Sequence, residues 1–294
     1  MPHHASEPYV SSGAFAHRDV HAMLETCERR GIAGLELSSG LACDAEQWRA
    51  VRRAQARGLR VLVHNYFPAA APPFVLNLGA ADPEIRGRSL KLCRRAIELS
   101  NEVEAPFYSV HSAFAVEAQP EHLGADLGTA RRIDRPACRA LLVDALGELC
   151  DHARTHGLGL AIENHVLTGA NAANERDARL IGVTPDELLG ILDEVGRTQL
   201  GVLLDFGHAN VSARTLGADR EAWVLALAPH ALGFHVSDND GFVDSNRAPE
   251  AACWALAHVA RYPAVPVVLE AYGIDENVIE RGLHLLRSVR KPLP

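Results

Sequence analysis

The chain has 294 residues, 48% of them hydrophobic, enough to bury a large core in one α/β barrel or in two smaller domains. Acidic residues outnumber basic ones 37 to 29, for a formal charge of -8 with no long run of either sign. That balance disfavours a nucleic-acid partner, which normally meets a basic footprint, and the absence of any CxxC among Cys27, Cys43, Cys93, Cys138, Cys150 and Cys253 argues for buried reduced thiols rather than a zinc ribbon.

The N-terminal MPHHASEPYV carries no cationic start followed by an apolar run, and no long uncharged apolar stretch occurs anywhere, so a soluble cytoplasmic protein with no membrane partner is expected. His3 and His4 are read as incidental to function. Short apolar runs predict strands at Tyr9 to Ser12, Gly34 to Ser38, Arg60 to His64 and Phe107 to His111, then at Gly159 to Glu163, Leu200 to Asp205, Leu232 to Val236 and Pro266 to Glu270. Helix-period segments fill the intervals: one begins at Asp44 and stops at Gly58, and Thr184 precedes another with Pro185 at its first position. A third carries the stripe Leu141, Leu142, Ala145, Leu146 and Leu149 and ends at Gly157, and the segment ENVIERGLHLLRSV closes the series. Strands alternating with helices predict a parallel sheet, and this number of them predicts a closed (β/α)8 TIM barrel. We expect a single domain over residues 1–294, with long pocket-forming loops at 65–84, 112–136 and 164–183.

Four of these apolar runs end in a metal-ligating side chain: LAIEN at Glu163, GVLLDFGH at Asp205 and His208, GFHVSD at His235, and VVLEAYG at Glu270. In an α/β barrel the reactive groups sit at the C-terminal strand ends, so Glu163, Asp205, His235 and Glu270 should converge on the barrel axis. Three carboxylates in one buried space call for a cation. With one imidazole they suit a hard or borderline divalent ion such as Mn, Mg, Co or Zn.

In this ordered set the chain resembles the xylose isomerase-like barrel superfamily, which holds sugar isomerases and epimerases, inosose dehydratases and endonuclease IV. The resemblance implies that Glu163, Asp205, His235 and Glu270 ligate one metal and that Glu163 and Glu270 double as catalytic acid and base. Asp205-Phe206-Gly207-His208 is similar to the superfamily's DxxH motif, which implies that His208 binds a substrate oxygen. His64 and His111, at the ends of strands three and four, stand where endonuclease IV carries zinc-binding histidines, and the stretch PPFVLNLGAADPEIRGRSL resembles that enzyme's loop. They leave open a second metal or a substrate contact. Where that enzyme has Asp-x-His after strand seven, this chain reads Asp244-Ser245-Asn246, which departs from a third metal site.

His165 either orients a ligand or faces solvent, Glu36 either enters the pocket as a substrate contact or caps a helix, and Arg247 either binds a substrate oxygen or lies on the surface. No GxGxxG or GxxxxGK[ST] element occurs, and lysine is confined to Lys91 and Lys291, so a neutral polyhydroxylated substrate is expected rather than a phosphorylated one. The expected activity is that of a metal-dependent sugar isomerase or epimerase working through an enediolate. A dehydratase or lyase sharing the first proton abstraction is the alternative, and an endonuclease IV-like phosphodiesterase the second. The expected partner is a small carbohydrate-like molecule; a homo-oligomer is left open.

Overall fold

Runs such as Leu200–Asp205 are apolar at nearly every position and buried at every one, the signature of a parallel strand covered on both faces. The computed structural model describes residues 7–38, 40–122, 127–172 and 179–290; His3, His4 and Lys291 lie outside them. In chain order the strands are β1 (Tyr9–Ser11), β2 (Gly34–Leu37), β3 (Arg60–His64), β4 (Phe107–His111), β5 (Gly159–Glu163), β6 (Leu200–Asp205), β7 (Ala231–Val236) and β8 (Val267–Leu269). All pair in parallel with their sequence neighbours, and β8 returns to β1 to close the barrel. The fold is a single-domain TIM barrel, and its strands agree with the sequence expectation to within a residue or two.

The helices are α1 (Val20–Arg30), α2 (Ala45–Ala56), α3 (Pro83–Glu102), α4 (Arg135–Thr155), α5 (Pro185–Val195), α6 (Phe206–Leu216), α7 (Arg220–Leu227), α8 (Ala255–Arg261) and α9 (Glu276–Val289). Local chemistry starts and stops them where expected. Asp44 and Gln47 form a reciprocal capping box on α2. Thr184 caps α5, with Pro185 in its first turn and Gly196 left-handed at its end. On α4 the residues Leu142, Ala145, Leu146 and Leu149 pack inward while Leu141 is only half-buried.

Two features depart from the expectation of three long loops. The connection 237–254 between β7 and α8 is also long and turns back over the strand ends, with Asp238 and Arg247 exchanging backbone hydrogen bonds. The β6 to α6 connection is reduced to nothing: Asp205 is both the last strand residue and the helix cap, its Oδ1 accepting the His208 backbone N–H at 2.6 Å. This tight junction needs Gly207, where a Cβ would stand 2.4 Å from Ser237 Oγ. The six cysteines are all free, five of them buried.

Candidate metal and substrate site

Register brings the polar strand ends to one level. His111 pairs with Glu163 across β4 and β5, and Asp205 with His235 across β6 and β7. Glu163, Asp205 and His235 are fully buried, and Glu270, just past β8, is 6% exposed. One ligand atom from each of these four lies within 4.8 Å of those of the other three. The same separation holds for His64, His111 and Glu163, and for Glu36, His64 and His235.

The local bonds point each group inward. Asn164 grips Asp205 twice: its Nδ2 donates to the Asp205 carbonyl at 3.0 Å, and its Oδ1 accepts the Asp205 backbone N–H at 2.8 Å. Ser112 Oγ donates to the Glu163 carbonyl at 2.8 Å. His235 Nε2 lies 3.0 Å from Glu36 Oε2, so with Nε2–H donating to the carboxylate its Nδ1 faces the acidic group. His64 Nδ1 lies 2.9 Å from Ser109 Oγ, which turns its Nε2 to within 3.4 Å of Glu163. His208 Nδ1 donates to the Asn164 carbonyl at 2.8 Å, and its Nε2 lies 3.3 Å from Asp244.

These bonds leave the inner atoms without partners. Both carboxylate oxygens of Glu163, Oδ2 of Asp205, Nδ1 of His235 and Oε2 of Glu270 are buried and accept or donate no hydrogen bond. His235 Nδ1 and Glu270 Oε2 approach to 2.7 Å without hydrogen-bond alignment. An unpaired buried polar atom costs about 1–3 kcal/mol, more when charged, so converging orphans of this kind fit a shared cation. A hard or borderline divalent ion suits the mixed oxygen and imidazole donors.

Electrostatics give the same account. Burial, reinforced by the charges of Glu270 and Glu163 and opposed by His208, drives Asp205 well above the usual carboxylate range. Burial would also raise Glu163, but the imidazoles of His111, His64 and His235 outweigh it and hold Glu163 well below that range. Burial lowers His235, yet the Glu270 and Glu36 carboxylates lift it well above the ordinary histidine value. His111 is pushed by burial down to about 4 and His165 to about 3, so both present neutral rings. Burial thus favours the protonated form of Asp205 and the neighbouring carboxylates the charged form of His235, the directions expected of crowded carboxylates that a cation would balance.

A cavity of about 1430 Å³ opens above this cluster. His111, His165, His208, Asp244 and Asn246 line it, and residues of segments 65–84, 112–136, 164–183 and 237–254 form its walls. His165 is buried, with its ring 5.4 Å from that of His111, rather than solvent-facing. Two expected substrate contacts stand elsewhere. Glu36 is buried behind His235 and away from the cavity wall, because β2 directs it under the imidazole. Arg247 is exposed, its backbone tied to Asp238, and does not line the cavity.

Barrel closure, the four convergent strand ends and the cavity above them agree with a sequence profile that matches residues 23–287. The chain belongs to the xylose isomerase-like TIM barrel family. A D-tagatose 3-epimerase-like protein superposes with a TM-score of 0.73 at 17% identity, covering 97% of each chain. A Thermus thermophilus protein whose crystal was soaked with zinc chloride gives 0.67 at 23% identity, covering 97% of this chain and 98% of that one. Further solved neighbours include structures named as D-psicose 3-epimerase and L-ribulose 3-epimerase, at 14% and 15% identity with TM-scores of 0.67 and 0.63. An uncharacterised protein of Methanocaldococcus jannaschii is 26% identical over 179 residues, 60% of this chain and 52% of that protein. The chain thus spans about half the length of this curated relative.

Sequence reasoning missed Asn164 and Ser112 as parts of the site, and met Asp244 only in Asp244-Ser245-Asn246, without its contact to His208. Asn164 had a signal, since it directly follows Glu163 at a strand end. Ser112 acts on the Glu163 backbone carbonyl, which spacing does not reveal.

Proposed function

We propose that this barrel is a divalent-metal-dependent isomerase or epimerase of a non-phosphorylated sugar or related polyol ketone. The observation that carries the reading is the set of orphaned inner atoms on Glu163, Asp205, His235 and Glu270, which would hold the metal. A divalent cation there would polarise a substrate carbonyl and stabilise the negative charge that develops when the adjacent C–H is deprotonated. Glu163 and Glu270 stand on β5 and at the end of β8, on different sides of the ring. One carboxylate can therefore take the proton from carbon while the other, or the same one, returns it. His208, fixed by the Asn164 carbonyl and facing the cavity, would steady a substrate oxygen.

The non-phosphorylated class rests on the walls. Among the described residues no lysine lines the cavity, and its one guanidinium, Arg214, lies 3.8 Å over the Phe242 ring. The sugar-epimerase neighbours favour a small carbohydrate. A metal-loaded preparation incubated in D₂O with a panel of keto sugars tests the assignment. Isomers carrying solvent deuterium support it, loss of water converts the assignment to a dehydratase, and unexchanged substrate contradicts it. Glu163→Gln or Glu270→Gln should abolish the exchange by at least about 10²-fold while the fold persists.

A second reading, metal-dependent phosphodiester hydrolysis, is favoured by one observation. His64 and His111 place their Nε2 atoms 3.4 and 3.2 Å from the same Glu163 oxygen, an arrangement that suits a second ion bridged by that carboxylate. Asn246 weakens it. Its Nδ2 donates to Asp244 Oδ2 at 3.0 Å, occupying an oxygen that a further metal beside His208 would need.

A further inference from the structure

One corner of the cavity wall is left with two unmet acceptors. Asp244 and Asn246 both line the cavity, and Asn246 Nδ2 donates to Asp244 Oδ2 at 3.0 Å. A carboxylate only accepts, so the amide turns its NH₂ toward Asp244 and its Oδ1 away. Asp244 Oδ1 and Asn246 Oδ1 are buried and have no hydrogen-bond partner. Each shares a carbon with an atom of the 3.0 Å bond, so the two belong to one small patch. Other polar wall groups are engaged within the chain. Asn171 Oδ1 accepts the Leu127 backbone N–H at 2.8 Å, His122 Nδ1 accepts that of Gln119 at 2.9 Å, and the Arg214 guanidinium lies over Phe242. The corner is also held in place. Asn246 has a left-handed backbone, φ 43°, which Asn adopts more readily than most residues. Its carbonyl accepts the backbone N–H of Tyr272, another wall residue, at 3.1 Å, and Asp244 Oδ2 lies 3.3 Å from His208 Nε2.

We propose that Asp244 and Asn246 determine substrate specificity by accepting hydrogen bonds from two hydroxyls on the part of the substrate beyond the carbons held at the metal. The substrate is then a ketose with two further free hydroxyls, and it carries no phosphate or carboxylate at that end. This rests on the enolisation reading above, which places the carbonyl and its neighbouring oxygens at the cation and beside His208, and leaves the rest of the chain to reach the corner. Hydroxyls fit because each brings a donor without bringing charge. An anionic group would set its own acceptors against two oxygens that only accept. A buried acceptor without a partner carries its desolvation cost until a donor arrives, so a substrate hydroxyl is read strongly and an analogue lacking it is rejected. The competing occupant is a cation. It is disfavoured because, among the described residues, no group of three or more His, Cys, Asp or Glu placed to hold a metal includes Asp244.

Calorimetric titration of Mn-loaded protein with dihydroxyacetone, D-erythrulose and D-ribulose, which lengthen a ketose by one hydroxylated carbon at a time, tests the pair by binding alone. Affinity should rise at least about tenfold from dihydroxyacetone to D-ribulose. Asn246→Gly, chosen because glycine also adopts a left-handed backbone, should cut that ratio by about threefold or more. Combined with Asp244→Ala it should bring the ratio below about twofold, whereas Leu225→Ser, at an exposed position of α7, should leave it unchanged. Circular dichroism of each variant verifies the fold, and if the double variant does not fold, Asn246→Gly alone decides. Equal affinities for the three ketoses in the wild type, undetectable binding of all three, or a ratio that survives the substitutions would overturn the assignment. So would the loss of one bound Mn per chain on Asn246→Gly, since the corner would then belong to a cation. Failure of the enolisation reading looks different: the ratio and its dependence on Asp244 and Asn246 persist, yet none of the ketoses takes up deuterium from D₂O.

Discussion

His235 and Glu36, 199 residues apart in sequence, meet as buried partners with Nε2 3.0 Å from Oε2. The contact fixes which imidazole nitrogen faces Glu163, Asp205 and Glu270, and carboxylate partners of this kind typically tune metal affinity by about 10–100-fold. Glu36→Gln should therefore weaken Mn or Zn binding by that factor, measured by calorimetry on chelator-stripped protein. Unchanged affinity would mean that His235 is oriented by something else.

Gly207 allows the β6 to α6 junction to pass β7, with an added Cβ meeting Ser237 Oγ at 2.4 Å. Overpacking in a rigid site costs typically about 1–3 kcal/mol. Because Gly207 lies between Asp205 and His208, Gly207→Ala should lower the melting temperature and also weaken metal binding. Combining it with Ser237→Ala should restore part of both losses, since the opposing atom is then gone.

The barrel and its four acidic or imidazole strand ends were legible in the sequence for a simple reason. A parallel strand buried on both faces is a short apolar run, and the first polar residue after it stands at the reactive end of the barrel. Glu36 carried no such signal. It lies next to last in β2, and its partner becomes visible only once β8 closes on β1 and the ring brings β2 across from β7. Phe242 and Tyr272 were illegible for a different reason, because an exposed aromatic gains meaning only when separate loops are seen to border one cavity.

Acidity should report whether the cluster is metal-bound. Burial lowers His208 and His235, but Asp205 and Asp244 for the first, and Glu270 and Glu36 for the second, lift both well above the ordinary 6.5; burial lifts Asp205 well above 3.8. Each of these groups holds its proton more tightly folded than unfolded. Their contribution to stability is therefore fully present below the ordinary values and lost as pH rises through the folded ones. Glu163 and Glu270 have the opposite sign. Both are lowered, Glu270 to about 2, so their contribution is lost only in acid, as pH falls through the folded values. Chelator-treated protein should lose melting temperature as pH rises above about 6.5, and a saturating divalent cation should remove most of that loss. Parallel curves with and without metal would contradict the account.

The central claim is that Glu163, Asp205, His235 and Glu270 together hold one cation, and anomalous diffraction from Mn- or Zn-loaded crystals tests it most directly. The account predicts a peak within about 2.0–2.3 Å of a ligand atom from each of the four residues, whether or not a second appears beside His64 and His111. A fully loaded crystal with no peak between the four, or with its only peak elsewhere, would contradict it.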